Sequence, residues 1–203
     1  EMLRSLVGSE MCIRDRYLSL ATACMIYMLW HIFKTDKEKE LLMYRSHTDE
    51  LTGCFNRHAY EEDIVQLRMD EAFVYISLDM NGLKTVNDSL GHAAGDELIR
   101  GVASCMKQCF AEVGKVYRIG GDEFVIIVLD QMQNIENIRE TFDKTVRRWQ
   151  GKMVKEMSVS CGYVSSDEKE WDTNYDIAKA ADARMYENKA AYYQKSGRDR
   201  RKR

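Results

Sequence analysis

The sequence predicts a mixed α/β (α+β) domain, with a central mixed, largely antiparallel sheet flanked by helices and an apolar helix on its N-terminal side. Three observations carry that expectation. Residues 117–128 read as two apolar β-type runs joined across Gly120, Gly121, Asp122 and Glu123, a hairpin signature. Two more strand patterns, 73–78 and 157–163, stand apart from it. The segments between them carry apolar residues at three-to-four spacing, which is helical. A hairpin beside helix-separated strands implies a mixed sheet with helices packed on it.

With 203 residues, net charge −3 and 45% hydrophobic content, the chain suits one folded domain plus an appendage. The near-neutral balance gives no argument for nucleic-acid binding. The basic close of Arg198, Arg200, Arg201, Lys202 and Arg203 reads as a solvated tail. The six cysteines (Cys12, Cys24, Cys54, Cys105, Cys109, Cys161) show no CxxC pairing and no histidine at zinc-finger spacing. They read as reduced and structural, in keeping with a reducing cytosol around the globular part.

Residues 1–16 are expected to be a non-native lead-in, because 7–16 has the look of translated sequencing-adapter sequence. Residues 17–33 form a nearly uncharged apolar run. As a helix it spans about 25 Å, against a bilayer core of about 30 Å. Tyr17 and Trp30 suit an interface, and Lys34, Lys37 and Lys39 follow at once. The expectation is a partial transmembrane segment in the inner (cytoplasmic) membrane, with the domain that follows in the cytoplasm. A buried or dimer-forming helix is the alternative. Residues 34–47 contain neither proline nor glycine and extend it as a helical linker. The globular domain occupies 48–203. Its expected elements are a helix over 56–69, a strand over 73–78 and a helix with Leu98, Ile99, Val102, Ala103, Met106 and Phe110 on one face. The hairpin comes next, then a helix over 135–149, a strand over 157–163 and a closing helix over 175–193.

The two glycines are expected to supply the positive φ of a two-residue turn and to let a ligand approach the backbone. Asp122 and Glu123 repel each other at so tight a turn, and a hard divalent cation relieves that repulsion. Asp79 closes the strand pattern Tyr75-Ile76-Ser77-Leu78-Asp79, which suits it to lie alongside them. Carboxylates converging from two strand ends make a Mg²⁺ and nucleotide-phosphate site the leading expectation.

Four blocks in order resemble the GGDEF family, the diguanylate cyclases, from about residue 48 to 198. Asp49-Glu50-Leu51-Thr52-Gly53-Cys54-Phe55-Asn56-Arg57 looks like the opening D-x-L-T-G-x-x-N-R motif. Asp79-Met80-Asn81-Gly82-Leu83-Lys84, with Asn87-Asp88, Gly91-His92 and Gly95-Asp96, is similar to the metal and guanine-binding stretch. Gly120-Gly121-Asp122-Glu123-Phe124 is the signature turn, and Ala181-Asp182, Met185-Tyr186 and Lys189 resemble the closing helix.

The resemblance implies a nucleotidyl-cyclase or palm-like fold and a homodimer that condenses two GTP into cyclic di-GMP and two pyrophosphates. It implies Mg²⁺, with Mn²⁺ as the alternative, held by the Asp79 and Asp122 side chains and the Met80 carbonyl. It makes Asp122 the group that helps deprotonate the ribose 3′-hydroxyl, Glu123 an additional acid, and Lys84 a stabiliser of charge on the phosphates. Asn87 and Asp96 become guanine readers, His92 a pocket residue (or a capping one), and Lys189 a contact to the β/γ-phosphates.

Some positions depart from the pattern. Asn81 and Gly82 stand where many members carry an acid and an aromatic, and the usual K-x-x-G-R becomes Lys189-Ala190-Ala191-Tyr192-Tyr193, with Tyr192 and Tyr193 in place of the glycine and arginine. The arginine's role is therefore open to Lys195 or Arg198. Ala111 and Gly114 occupy the positions of the R-x-x-D pair with which product-inhibited members grip a second guanine. The alternative reading is a GGDEF domain without turnover, acting as a GTP-sensing or scaffold module. A cyclase making a different cyclic dinucleotide is the other rival.

Overall fold

The computed structural model describes residues 2–129 and 134–195. These residues fall into two units, divided between Ser46 and His47. The first consists of helix α1, Met2–His47, up to its last residue.

The expected partial transmembrane segment over 17–33 finds no support here. Among the described residues no helix is long and apolar enough to cross a membrane. The physical reason is visible in the flanks: the run is shorter than a bilayer core and is bounded by Arg14, Asp15 and Arg16 before it and Lys34, Asp36 and Lys37 after it.

The second unit contains α2 (Arg57–Gln66), β1 (Val74–Met80), α3 (Leu83–Leu90), α4 (His92–Phe110), β2 (Gly114–Arg118), β3 (Glu123–Val128), α5 (Ile135–Arg148), β4 (Val159–Ser165) and α6 (Asn174–Lys195). Asn56 opens α2 as an N-cap, its side chain accepting from the Ala59 amide. The helix stops earlier than its sequence pattern suggests. The Asn174 amide group donates to the carbonyls of Ile64 and Leu67 and so takes up the helix's last acceptors. Helix α3 has no counterpart among the expected elements. It starts at Gly82, whose φ of 77° suits a residue without a Cβ, and Gly91 at φ 83° divides it from α4.

The strand order is β2-β3-β1-β4, and every strand pairing is antiparallel. The mixed sheet is therefore corrected to an antiparallel one. Parallel character is confined to an isolated bridge between Phe55 and Tyr117.

β1 lies inside the sheet and is buried along its whole length. Its even-numbered side chains, Val74, Ile76, Leu78 and Met80, share a core with Leu98, Val102 and Met106 of α4 and with Phe142 and Val146 of α5. On the opposite face Tyr75 packs with Val125, Ile127 and Val164 of the sheet, with Ala59 and Ile64 of α2, and with Ile177, Ala178 and Ala181 of α6. The result is three layers, with the sheet between α4/α5 and α2/α6. The two-residue pleat period assigns the odd residues Ser77 and Asp79 to the α6 side.

Candidate active site

Strand register and pleat parity together build the site. Asp79 is the penultimate residue of β1 and lies opposite Glu123, the first residue of β3. The Met80 amide donates to the Asp122 carbonyl at 3.0 Å, so the acids of the two strand ends are neighbours. Odd parity turns Ser77 and Asp79 towards α6. There the Ser77 hydroxyl donates to Asp182, and the Lys189 ammonium reaches Asp79 Oδ1 at 2.5 Å. Asp182 and Lys189 are seven residues apart, two turns along one helix face, which puts both on the side of α6 that meets β1.

Asp79 is buried, with 6% of its surface exposed. Burial raises its pKa above the ordinary aspartate value; Lys189 pulls it down, and the charges of Asp122 and Glu123 push it up again. The net shift is upward. This is a carboxylate held under electrostatic load, and a cation relieves it. Asp79 and Asp122 present hard oxygen donors from adjacent strands, the donor type that Mg²⁺ takes. The residues fit such an ion.

The acid-bearing turn is held from outside by Arg118 together with Asp49 and Thr52 of the opening motif. Arg118 donates from Nη1 to both carboxylate oxygens of Asp49 at 3.1 Å, from Nε to the Gly120 carbonyl and from Nη2 to the Gly121 carbonyl. Asp49 in turn accepts from the amide and hydroxyl of Thr52. Burial alone would raise the Asp49 pKa, but the Thr52 and Arg118 contacts outweigh it and hold the carboxyl below its usual value. The opening motif and the signature turn are thus one hydrogen-bonded structure. The available signal was Arg118 itself, a cation two residues before two glycines whose carbonyls need partners.

The expected role of those glycines is corrected. Among the described residues the positive-φ glycines are Gly53, Gly82 and Gly91, not Gly120 or Gly121. Four residues, 119–122, link β2 to β3, and the amides of Ile119 and Gly120 both donate to the Glu123 carbonyl. What the glycines provide is space. A Cβ on Gly120 would lie 2.7 Å from the Glu123 carboxylate, whereas a Cβ on Gly121 would meet nothing within 4 Å. The backbone at Gly121 stands open to a ligand.

The candidate base readers form a second group. α3 packs on α4, and half-buried Asn87 presses against Gly95, where a Cβ would sit 2.0 Å from its Oδ1. That Oδ1 is buried without a hydrogen-bond partner among the described residues. Asp96 is the next residue and is half-buried. Lys84 on the first turn of α3 and His92 at the head of α4 are both exposed. The structure therefore brings Asp79, Met80, Asp122, Glu123 and Lys189 into one cluster, sets Asn87 beside the Gly95-Asp96 step, and leaves Lys84 and His92 on the surface. Asn81 does not face a pocket. It is buried, donating to the Ser158 hydroxyl and accepting from the Ser160 hydroxyl, and so ties the end of β1 to β4. The side chains of Lys195 and Arg198 lie outside the described residues.

The clamp is testable apart from any chemistry. Asp49→Ala leaves a largely buried arginine without its carboxylate and is expected to cost about 1–3 kcal/mol of stability. Because the pKa of Asp49 is depressed on folding, its contribution is present above the unfolded value of about 3.9 and is lost as pH falls through the folded value. Denaturant midpoints for wild type and variant should differ at pH 7 and converge in acid; equal midpoints at pH 7 would remove the clamp.

Comparison with known proteins agrees with the geometry. Residues 46–195 match the family model described as diguanylate cyclase, GGDEF domain. The probable diguanylate cyclase DgcJ of Escherichia coli (strain K12) is 34% identical over 148 residues, covering 70% of this chain and 29% of that protein. The uncharacterized membrane protein SH2145 of Staphylococcus haemolyticus is 30% identical over 165 residues, covering 74% of this chain and 45% of the relative. The chain thus spans less than half the length of these relatives. Among solved structures, the coiled coil and GGDEF domain of DgcB from Caulobacter crescentus, in complex with c-di-GMP, aligns with TM-score 0.70 and 23% identity, covering 83% of this chain and 94% of that one. The isolated GGDEF domain of PA1120 from Pseudomonas aeruginosa aligns with TM-score 0.61 and 28% identity, covering 71% and 90%. With its acid-tipped hairpin, its antiparallel sheet and a family match over most of its length, the chain belongs to the diguanylate cyclase GGDEF-domain family.

Proposed function

We propose that this domain condenses two GTP molecules into cyclic di-GMP, releasing two pyrophosphates, as a Mg²⁺-dependent homodimer. The observation that carries the proposal is the convergence of Asp79, Asp122 and Glu123 at two adjacent strand ends, with Lys189 upon Asp79. Asp79, Asp122 and the Met80 carbonyl are the groups to hold the ion, with Mn²⁺ as the alternative metal. When bound, such an ion neutralises triphosphate oxygens and polarises the α-phosphorus.

The chain's own residues do the rest. Asp122 takes the proton from a ribose 3′-hydroxyl. That oxygen bonds to the α-phosphorus of the other GTP, the bond to the bridging oxygen breaks, and pyrophosphate leaves. Two such exchanges close the ring, and a chain with one acid-tipped turn among its described residues needs a second copy to perform them. Lys84, exposed at the rim, offsets charge on the phosphates. Lys189 keeps Asp79 ionised and is shared with the β/γ-phosphates. Asn87 and Asp96 read guanine, the carboxylate accepting from N1–H and N2–H₂, with His92 beside them at the head of α4. Second-site product control through the R-x-x-D positions does not belong to this reading. Ala111 is there in place of the arginine, and a Cβ on Gly114 would lie 2.2 Å from the Ile127 carbonyl oxygen.

The test is incubation of the full chain with Mg²⁺ and an equimolar mixture of light and isotopically heavy GTP. The expected product has the mass of cyclic di-GMP and includes a mixed-isotope species, and Asp122→Asn lowers its rate about 100-fold or more. GTP binding without product, in a sample shown to be dimeric, establishes the sensing or scaffold module instead.

The charges around Asp79 set a pH dependence. Asp79 binds a cation only when ionised, and its pKa is raised. The acid limb of kcat/KM is expected above the ordinary aspartate value of about 3.9. Lys189 lowers that pKa, so Lys189→Ala should move the limb to still higher pH, beyond any uniform loss of rate. A limb unmoved by the substitution would separate Lys189 from the ionisation of Asp79.

A further inference from the structure

Three ligating side chains meet on the surface of α2, apart from the acid cluster. His58 and Glu62 lie four apart on the helix, with His58 Nε2 3.3 Å from Glu62 Oε1. His47 Nε2 approaches the other oxygen, Glu62 Oε2, at 2.9 Å, and the two imidazole centroids are 5.2 Å apart. Among the described residues this is the trio of histidine, cysteine or acidic side chains whose donor atoms all lie within 4.8 Å of one another.

The backbone brings His47 there. The Asn56 amide donates to the His47 carbonyl at 2.8 Å, Thr48 pairs with Phe55, and the Asn56 side chain donates to the Thr48 carbonyl. Residues 47–56 therefore form a closed reversal that sets His47 against the first turn of α2 before any ligand arrives. The His47 side chain is 19% exposed, while those of His58 and Glu62 are 57% and 49% exposed. One ligand is held by packing and two stand at an open mouth.

We propose that His47, His58 and Glu62 form a binding site for a divalent transition-metal ion, Zn²⁺ by its chemistry, distinct from the Asp79–Asp122 site. Two imidazole nitrogens and one carboxylate leave a fourth tetrahedral position for water, a donor set that zinc accepts. Mg²⁺ and Ca²⁺ prefer all-oxygen sites. Bonds of about 2.0–2.1 Å at tetrahedral angles separate ligand atoms by about 3.3 Å. His58 stands at that separation from Oε1 and His47 at 2.9 Å from Oε2, and with all three donor atoms within 4.8 Å of one another, turning the exposed Glu62 and His58 side chains gathers the three around one ion. The bound ion fastens His47 to α2.

The experiment uses the full chain, stripped with a chelator and held in excess Mg²⁺ so that hard-ion sites are filled. Co²⁺ serves as the visible probe and Zn²⁺ as its competitor. The expected result is one saturable equivalent with the d–d absorption of a four-coordinate ion, no thiolate charge-transfer band, and displacement by Zn²⁺. His58→Ala and Glu62→Gln, both at exposed positions, should each weaken Zn²⁺ binding about 10-fold or more, the scale on which even outer partners of metal ligands matter. Asp122→Asn should leave binding intact. The proposal fails if wild type shows no saturable band or shows a thiolate band. It fails equally if Zn²⁺ affinity is unchanged in His47→Ala, His58→Ala and Glu62→Gln alike, or is abolished by Asp122→Asn.

Discussion

The acid cluster depends on β1 being buried on both faces. A strand in that position must spend nearly every side chain on packing, and here only Ser77 and Asp79 are polar. Both have odd parity and both are met by α6, through Asp182 and Lys189. A buried carboxylate costs folding energy unless it is paired. Lys189 offsets part of that cost, and the upward pKa of Asp79 shows that it does not offset all of it. The remainder is a standing attraction for a second cation, created by the same burial that fixes the position of Asp79.

The turn opposite Asp79 is built on another principle. Its acids are not buried, and its glycines are not in left-handed backbone. It keeps its shape because Arg118 binds two of its carbonyls and is itself held by Asp49. Residues some seventy positions apart in the chain thus act as one brace. The brace holds the Gly121 carbonyl and leaves open the side on which a Cβ would stand.

Much of this was legible in the sequence. The hairpin, the apolar faces of α4 and α5, and the terminal position of Asp79 follow from local patterns whose physics is also local. Strand direction was harder to read. β1 and β3 are separated by two helices and a strand, and no pattern within either one says whether they run together or oppose. Helix α3 escaped because it is only eight residues long, with Leu83, Val86 and Leu90 too few to establish a period, and its limits are set by two positive-φ glycines. Asn81 was a departure from a motif until the structure showed its amide shared between Ser158 and Ser160. Hydrogen bonds between residues far apart in sequence leave no periodic signal. The apolar run over 17–33 suggests a span by its hydropathy, but its length and flanking charges leave that reading without support among the described residues.

The most direct measurement of the central claim takes turnover and stability from a single preparation of Asp79→Asn. A folded pKa above the unfolded value means that ionised Asp79 disfavours folding, an effect that begins near the unfolded pKa of about 3.9 and is complete once pH exceeds the folded value. The neutral amide removes that penalty at pH 7. The account predicts a denaturant midpoint equal to or above that of the wild type, together with a loss of cyclic di-GMP formation of about 100-fold or more. A variant that keeps most of its turnover would contradict the account, and so would one that loses turnover only because it has unfolded.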